Sequence, residues 1–114
     1  MYAVIFEVLP TKTGKEEYLK IASILKEFLL KQKGLISIER FQSLSDENKV
    51  LSLSFWENEN AITSWRTQFE HRLAQDKGNQ ELFEDYRIRV AKVERDYTKT
   101  KREEAPKDSN EHRV

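Results

Sequence analysis

Few side chains in this sequence could handle a substrate, and most of them fall in its second half. His71 precedes the final stretch as the only histidine in the part expected to fold. A neutral imidazole can accept a proton from a hydroxyl, and its charged form can stabilise an oxyanion. Trp65 offers a flat apolar wall, Tyr86 a phenolic hydroxyl that could bond a substrate hydroxyl, and Arg87 and Arg89 positive charge. Glu7 is a lone acid in an apolar stretch, placed either to act as a base in a cavity or to pair with a cation such as Arg40. Each has a plainer reading beside it. An aromatic residue at helical spacing packs a core, and a histidine near a helix end bonds backbone. The arginines can pair with Glu84 and Asp85, and Glu70 can sit in solvent.

Other chemistry finds no support. Cysteine is absent, which removes disulfides, thiolate zinc sites and cysteine nucleophiles. The three glycines, Gly14, Gly34 and Gly78, are isolated and form no phosphate-binding loop. No metal-ligand cluster or serine-nucleophile motif occurs. Twenty basic and twenty acidic residues cancel, and no basic run stands out, so neither nucleic acid nor an anionic membrane is expected as partner. The apolar start, Met1 to Pro10, is too short for a membrane span and has no basic leader, so the expectation is a cytoplasmic protein.

The elements that must position these residues follow from periodicity. Tyr2 to Leu9 is β-branched and aromatic and stops at Pro10, which reads as a strand apolar on both faces except at Glu7. Thr13 and Glu16 form a possible capping box. Tyr18, Ile21, Ala22, Leu25, Phe28 and Leu29 then recur at helical spacing, predicting a helix from about Gly14 to Lys33 with Gly34 as its C′ residue. Leu35 to Leu44 and Val50 to Glu57 read as an antiparallel hairpin around the polar turn Ser45 to Asn48. Leu51, Leu53 and Phe55 share one face of the third strand, with Val50 and Trp56 on the other. Asn58 can cap a second helix whose stripe is Ile62, Trp65, Phe69 and Leu73, broken at Gly78 and Asn79. After Leu82 and Phe83, Tyr86 to Tyr97 reads as the last strand, with a β-bulge expected where its apolar parity switches between Val90 and Ala91.

The order is β-α-β-β-α-β, which predicts a ferredoxin-like α+β fold: a four-stranded antiparallel sheet with both helices on one face. The other face remains apolar, which predicts a homodimer with two sheets packed together. Residues 1–97 should form this one domain. Residues 98–114 hold almost no apolar side chain and are expected to be a disordered tail.

The run SFWENENAITSWR, then EHRLAQ, then FEDYRIRVAKVERDY resembles the antibiotic biosynthesis monooxygenase family. The likeness rests on Phe55-Trp56-Glu57, on Ala61, Ile62 and Trp65, on Glu70-His71, and on the Tyr- and Arg-rich last strand. It implies a dimeric α+β barrel with a cavity between helices and sheet. It also implies cofactor-independent oxidation of a small phenol or quinol. His71, Trp65 and Tyr86 would then be catalytic, and Glu7, Phe55, Ile62, Phe69 and Phe83 would contact the substrate. Haem-degrading members carry a histidine ligand about three turns beyond the helical tryptophan, but the residue at that place here is Gln75. Haem binding is therefore the second expectation, and a non-catalytic dimer holding an apolar ligand the third.

Overall fold

The structure is a computed structural model and describes residues 1–75 and 83–111. Its elements are β1 (Tyr2–Pro10), α1 (Lys15–Leu29), β2 (Leu35–Gln42), β3 (Val50–Trp56), α2 (Glu59–Gln75), β4 (Phe83–Lys92) and a short α3 (Lys107–Glu111). The four strands form one sheet in the order β2-β3-β1-β4, every neighbouring pair antiparallel. Strands β1 and β2 are therefore parallel and separated by β3, the split arrangement that the order of elements predicts.

Strand alternation assigns the faces. On β1, Val4, Phe6 and Val8 point to the helices and are almost fully buried. They join Tyr18, Ala22 and Leu29 of α1, and Ile62, Trp65 and Phe69 of α2, in one core. The opposite face carries Ala3 and Ile5 of β1 with Leu51, Leu53 and Phe55 of β3, placed side by side by the register Ala3–Phe55, Ile5–Leu53 and Glu7–Leu51. The second apolar face anticipated for β1 is thus present, and it has no part in the core that the two helices cover.

Local sequence decides the helix ends. The Asn58 side chain accepts a 2.9 Å hydrogen bond from the Ala61 amide and caps α2 as expected. At α1 the first helical bond runs from the Tyr18 amide to the Gly14 carbonyl at 2.8 Å, so Gly14 rather than Thr13 holds the N-cap position. The helix also stops at Leu29, four residues short of Lys33, and a turn follows. Gly34 then has another task. Its φ of 95° lies in the left-handed region, and its carbonyl accepts the Glu57 amide at 2.7 Å where β3 ends. The side chains of Leu25, Phe28 and Leu73, and Gly78, Asn79 and Leu82 altogether, lie outside what the structure describes.

Two expectations about the C-terminal part change. No bulge separates Val90 from Ala91, because β4 pairs with β1 without interruption from Asp85 to Lys92. Val90 faces the helices and Ala91 the other side. The irregularity falls instead between Leu9 and Pro10, where Glu84 is the extra residue. The strand also ends at Lys92, with the Val93 amide still reaching the Met1 carbonyl at 3.0 Å. Within residues 98–111, Arg102 donates to the Asn110 side chain at 3.1 Å, the Ser109 hydroxyl at 2.6 Å and the Thr98 carbonyl at 3.2 Å. Its guanidinium also stacks 4.9 Å from the Tyr97 ring centre.

A Cβ at Gly34 would meet the Ala61 Cβ at 2.7 Å while the backbone stays left-handed. Gly34→Ala should therefore cost about 1–3 kcal/mol, read as a lower urea midpoint with unchanged slope. An unchanged midpoint would show that this turn tolerates a side chain.

Candidate active site

A row of residues crosses the sheet beneath the helices: Arg40 on β2 lies opposite Ser52 on β3, and Ser52 opposite Phe6 on β1. Ser52 is buried and short, so space remains between its larger neighbours. Trp65 and Phe69 descend from α2 above this gap, Tyr18 and Ala22 approach from α1, and Phe83 closes the β4 end. The cavity measures about 30 Å³, room for about one water molecule.

Its walls are aromatic and mutually braced. Phe6 meets Phe69 edge-on at 5.1 Å and Trp65 at 6.4 Å between ring centres. Trp65 and Phe69 lie nearly parallel, 19° apart at 5.5 Å, and make a continuous flat surface. Trp65 also leans on Trp56, whose indole N–H donates to the Ser54 hydroxyl at 2.8 Å. At the other end Tyr18 packs edge-on to Phe83 at 5.4 Å, and Phe83 contacts Tyr86 at 6.0 Å.

One charged group reaches this apolar space. The Arg40 guanidinium donates through Nη2 to the Ala22 carbonyl at 2.8 Å, which ties β2 to α1. Its Nε is buried and has no hydrogen-bond partner. The ion pairs among the described residues do not include it. Beside it, burial pushes the Tyr18 phenol above its ordinary value of 10.0, and the Arg40 charge and its side-chain interaction with the phenol oppose part of that rise.

The residues singled out from sequence separate into two groups. Trp65, Phe69 and Phe83 line the cavity. Tyr86 stands next to it, half exposed, with its ring 5.9 Å from Phe6. Ile62 is buried in the core but does not line the cavity. Glu7 and Phe55 do not face the cavity at all. They occupy alternate positions to Phe6 and Trp56, so the pleat turns them to the opposite side of the sheet. Glu7 pairs there with Lys49 at 3.4 Å and Arg89 at 3.2 Å, not with Arg40. His71 is exposed. It follows Trp65 by about 240° around the helix, and α2 runs on to Gln75 with no break to re-aim it.

Arg40, Tyr18 and Ser52 were missed as cavity residues. The sequence held one signal for the first of them. Arg40 shares strand parity with Ile38, a residue of the inward-facing set, so a charge was being directed at the core.

A split β-α-β sheet with two helices over one face, enclosing an aromatic cavity, defines this chain as a ferredoxin-like α+β protein. Sequence comparison narrows the class. Residues 1–77 match the family Antibiotic biosynthesis monooxygenase, and the chain belongs to that family. A relative called jasmonate monooxygenase ABM, from Pyricularia oryzae, is 43% identical over 93 residues, which is 82% of this chain and 43% of that protein. This chain therefore spans less than half of that relative. Among solved structures, Rv0793 from Mycobacterium tuberculosis superposes with a TM-score of 0.73 at 14% identity, covering 85% of this chain and 98% of the other. SnoaB, a cofactor-independent oxygenase from Streptomyces nogalater, gives 0.67 at 11% identity, covering 83% and 94%. At such identities these two establish the shared fold.

The Tyr18 phenol sets a direction for alkaline stability. With its folded value raised, the unfolded chain loses that proton first, so folding weakens as pH rises past 10.0. Tyr18→Phe should flatten the fall in denaturation midpoint above that pH relative to the native protein. Parallel curves for the two proteins would mean that Tyr18 is not the group responsible.

Proposed function

We propose that this protein is a cofactor-independent oxygenase that takes a small aromatic phenol or quinol into the cavity beneath Trp65. The observation that carries this reading is the aromatic lining of the cavity, where Trp65 and Phe69 lie nearly parallel, pack against Phe6 and are joined by Phe83. Family membership and the oxygenase likeness of the fold support it. Oxygen can attack such a substrate without a cofactor once the substrate is an electron-rich anion. In a phenol with an activated methylene, one atom of O₂ becomes the new carbonyl oxygen and the other leaves as water with the two methylene hydrogens. The aromatic walls hold the ring flat and keep water from the anion, which strengthens any charge stabilisation there.

The cavity as it stands admits about one water, so the aromatic side chains must separate to admit a ring. That same small volume favours a second reading, a dimeric module that binds an apolar ligand without turning it over. Oxygen uptake with simple quinols and anthrone-like phenols separates the two. Trp65→Ala should lower kcat/KM by about tenfold or more, a loss of about 1.4 kcal/mol in transition-state stabilisation. His71→Ala should stay within about twofold of the native protein, since its side chain points to solvent. Saturable binding of these compounds with only background uptake would replace the oxygenase reading by the binding one.

The apolar outer face of the sheet belongs to the same proposal. A second copy of the chain would cover Ile5, Leu53 and Phe55, giving a homodimer of sheet against sheet. Sedimentation at micromolar concentration should show a dimer, and Leu53→Glu should yield a folded monomer because it places a charge in that contact. A monomeric native protein would remove this part of the proposal.

A further inference from the structure

We propose that Arg40 anchors the substrate's anionic oxygen through its unpartnered Nε–H. The proposal rests on the cavity being the substrate site. It adds a chemical requirement to that reading: the ligand must present an oxyanion toward β2.

Three observations converge on it. The Arg40 side chain is fixed, because Nη2 is held by the Ala22 carbonyl at 2.8 Å. Its Nε is sealed from solvent and lacks an acceptor. Buried donors nearly always find one, and leaving such a group unpaired is costly, the more so where it is charged. The neighbours that share the cavity are aromatic and aliphatic side chains together with two hydroxyls, those of Tyr18 and Ser52. None of these bears a negative charge that would compensate the guanidinium.

An incoming oxyanion reverses that cost. It accepts from Nε–H in a water-poor space, where a charge-assisted hydrogen bond is about twice as strong as a neutral one. A neutral ligand of the same shape fills the space but leaves the cation uncompensated. Arg40 would therefore select ionised ligands and favour ionisation of a bound phenol, the state that oxygen chemistry needs. A purely structural arginine, serving only to tie β2 to α1, would do neither.

Coloured probes that do not react with oxygen test this separately from turnover. The native protein is titrated with 4-nitrophenol, its neutral methyl ether 4-nitroanisole, and 4-nitrobenzoate. Bound 4-nitrophenol should show the phenolate absorbance at a pH where the free compound is mostly neutral, its apparent pKa lowered by about one unit or more. The methyl ether should bind about tenfold more weakly than the phenolate. Tighter binding of 4-nitrobenzoate than of the phenolate would identify a carboxylate as the preferred oxyanion. Arg40→Met should abolish the shift, and Arg40→Lys should keep part of it, both variants being checked for folding by circular dichroism. The proposal is overturned if bound 4-nitrophenol titrates like the free compound, if Arg40→Met keeps the full shift, or if no probe binds saturably. An Arg40-dependent shift without oxygen uptake from quinols would instead sink the oxygenase reading and leave the anchor standing.

Discussion

The packing of Phe6 against the second helix is the contact on which the architecture turns. Phe6 sits at the middle of the central strand, and its ring meets Phe69, Trp65 and Tyr86 edge-on. Each such pair contributes about 0.5–1.5 kcal/mol beyond the area it buries. Edge-to-face geometry also fixes orientation, so the two contacts with Trp65 and Phe69 set the position of α2 over the sheet, and the third ties Phe6 to Tyr86 on β4. Through Trp65 the same cluster reaches Trp56, which is completely buried at the end of β3. Helix, sheet centre and hairpin are thereby held by one chain of rings, and the wall of the cavity is made from its middle.

Cavity and core are consequently one object. The gap over Ser52 exists because a small residue stands where β3 could have carried a large one. Its two flanking positions in the row are a long cation and a phenyl ring. The arrangement keeps an apolar volume and a positive charge in contact, which is expensive in the empty protein. Proteins retain such costs at places where a ligand relieves them.

The two faces of the sheet divide the charges by the same rule. Glu7 pairs with both Arg89 and Lys49 on the outer side. Arg40 lies on the inner side, and no ion pair among the described residues includes it. Strand alternation separates groups that are near in the sheet but never meet, and this is why an ion pair between Glu7 and Arg40 does not form.

Much of the fold was legible in the sequence. The order of elements followed from the β-branched and aromatic run Tyr2–Leu9, from the alternation in Val50–Glu57 and from the stripe Ile62, Trp65 and Phe69, because burial imposes those patterns. Asn58 as a cap was equally local. Trp65, Phe69 and Phe83 could be named for the cavity because large aromatic residues on an inward stripe have few other places to go. What the sequence could not decide were matters of register. Whether Glu84 or Ala91 is the extra residue in β4 depends on which β1 residue each one faces. Which side Glu7 and Phe55 take depends on where the helices pack. Arg40 gains its meaning only when β2, β3 and β1 align it with Ser52 and Phe6. A single strand records that a charge points one way, and only the assembled sheet shows that the direction is a largely apolar cavity whose lining holds no carboxylate.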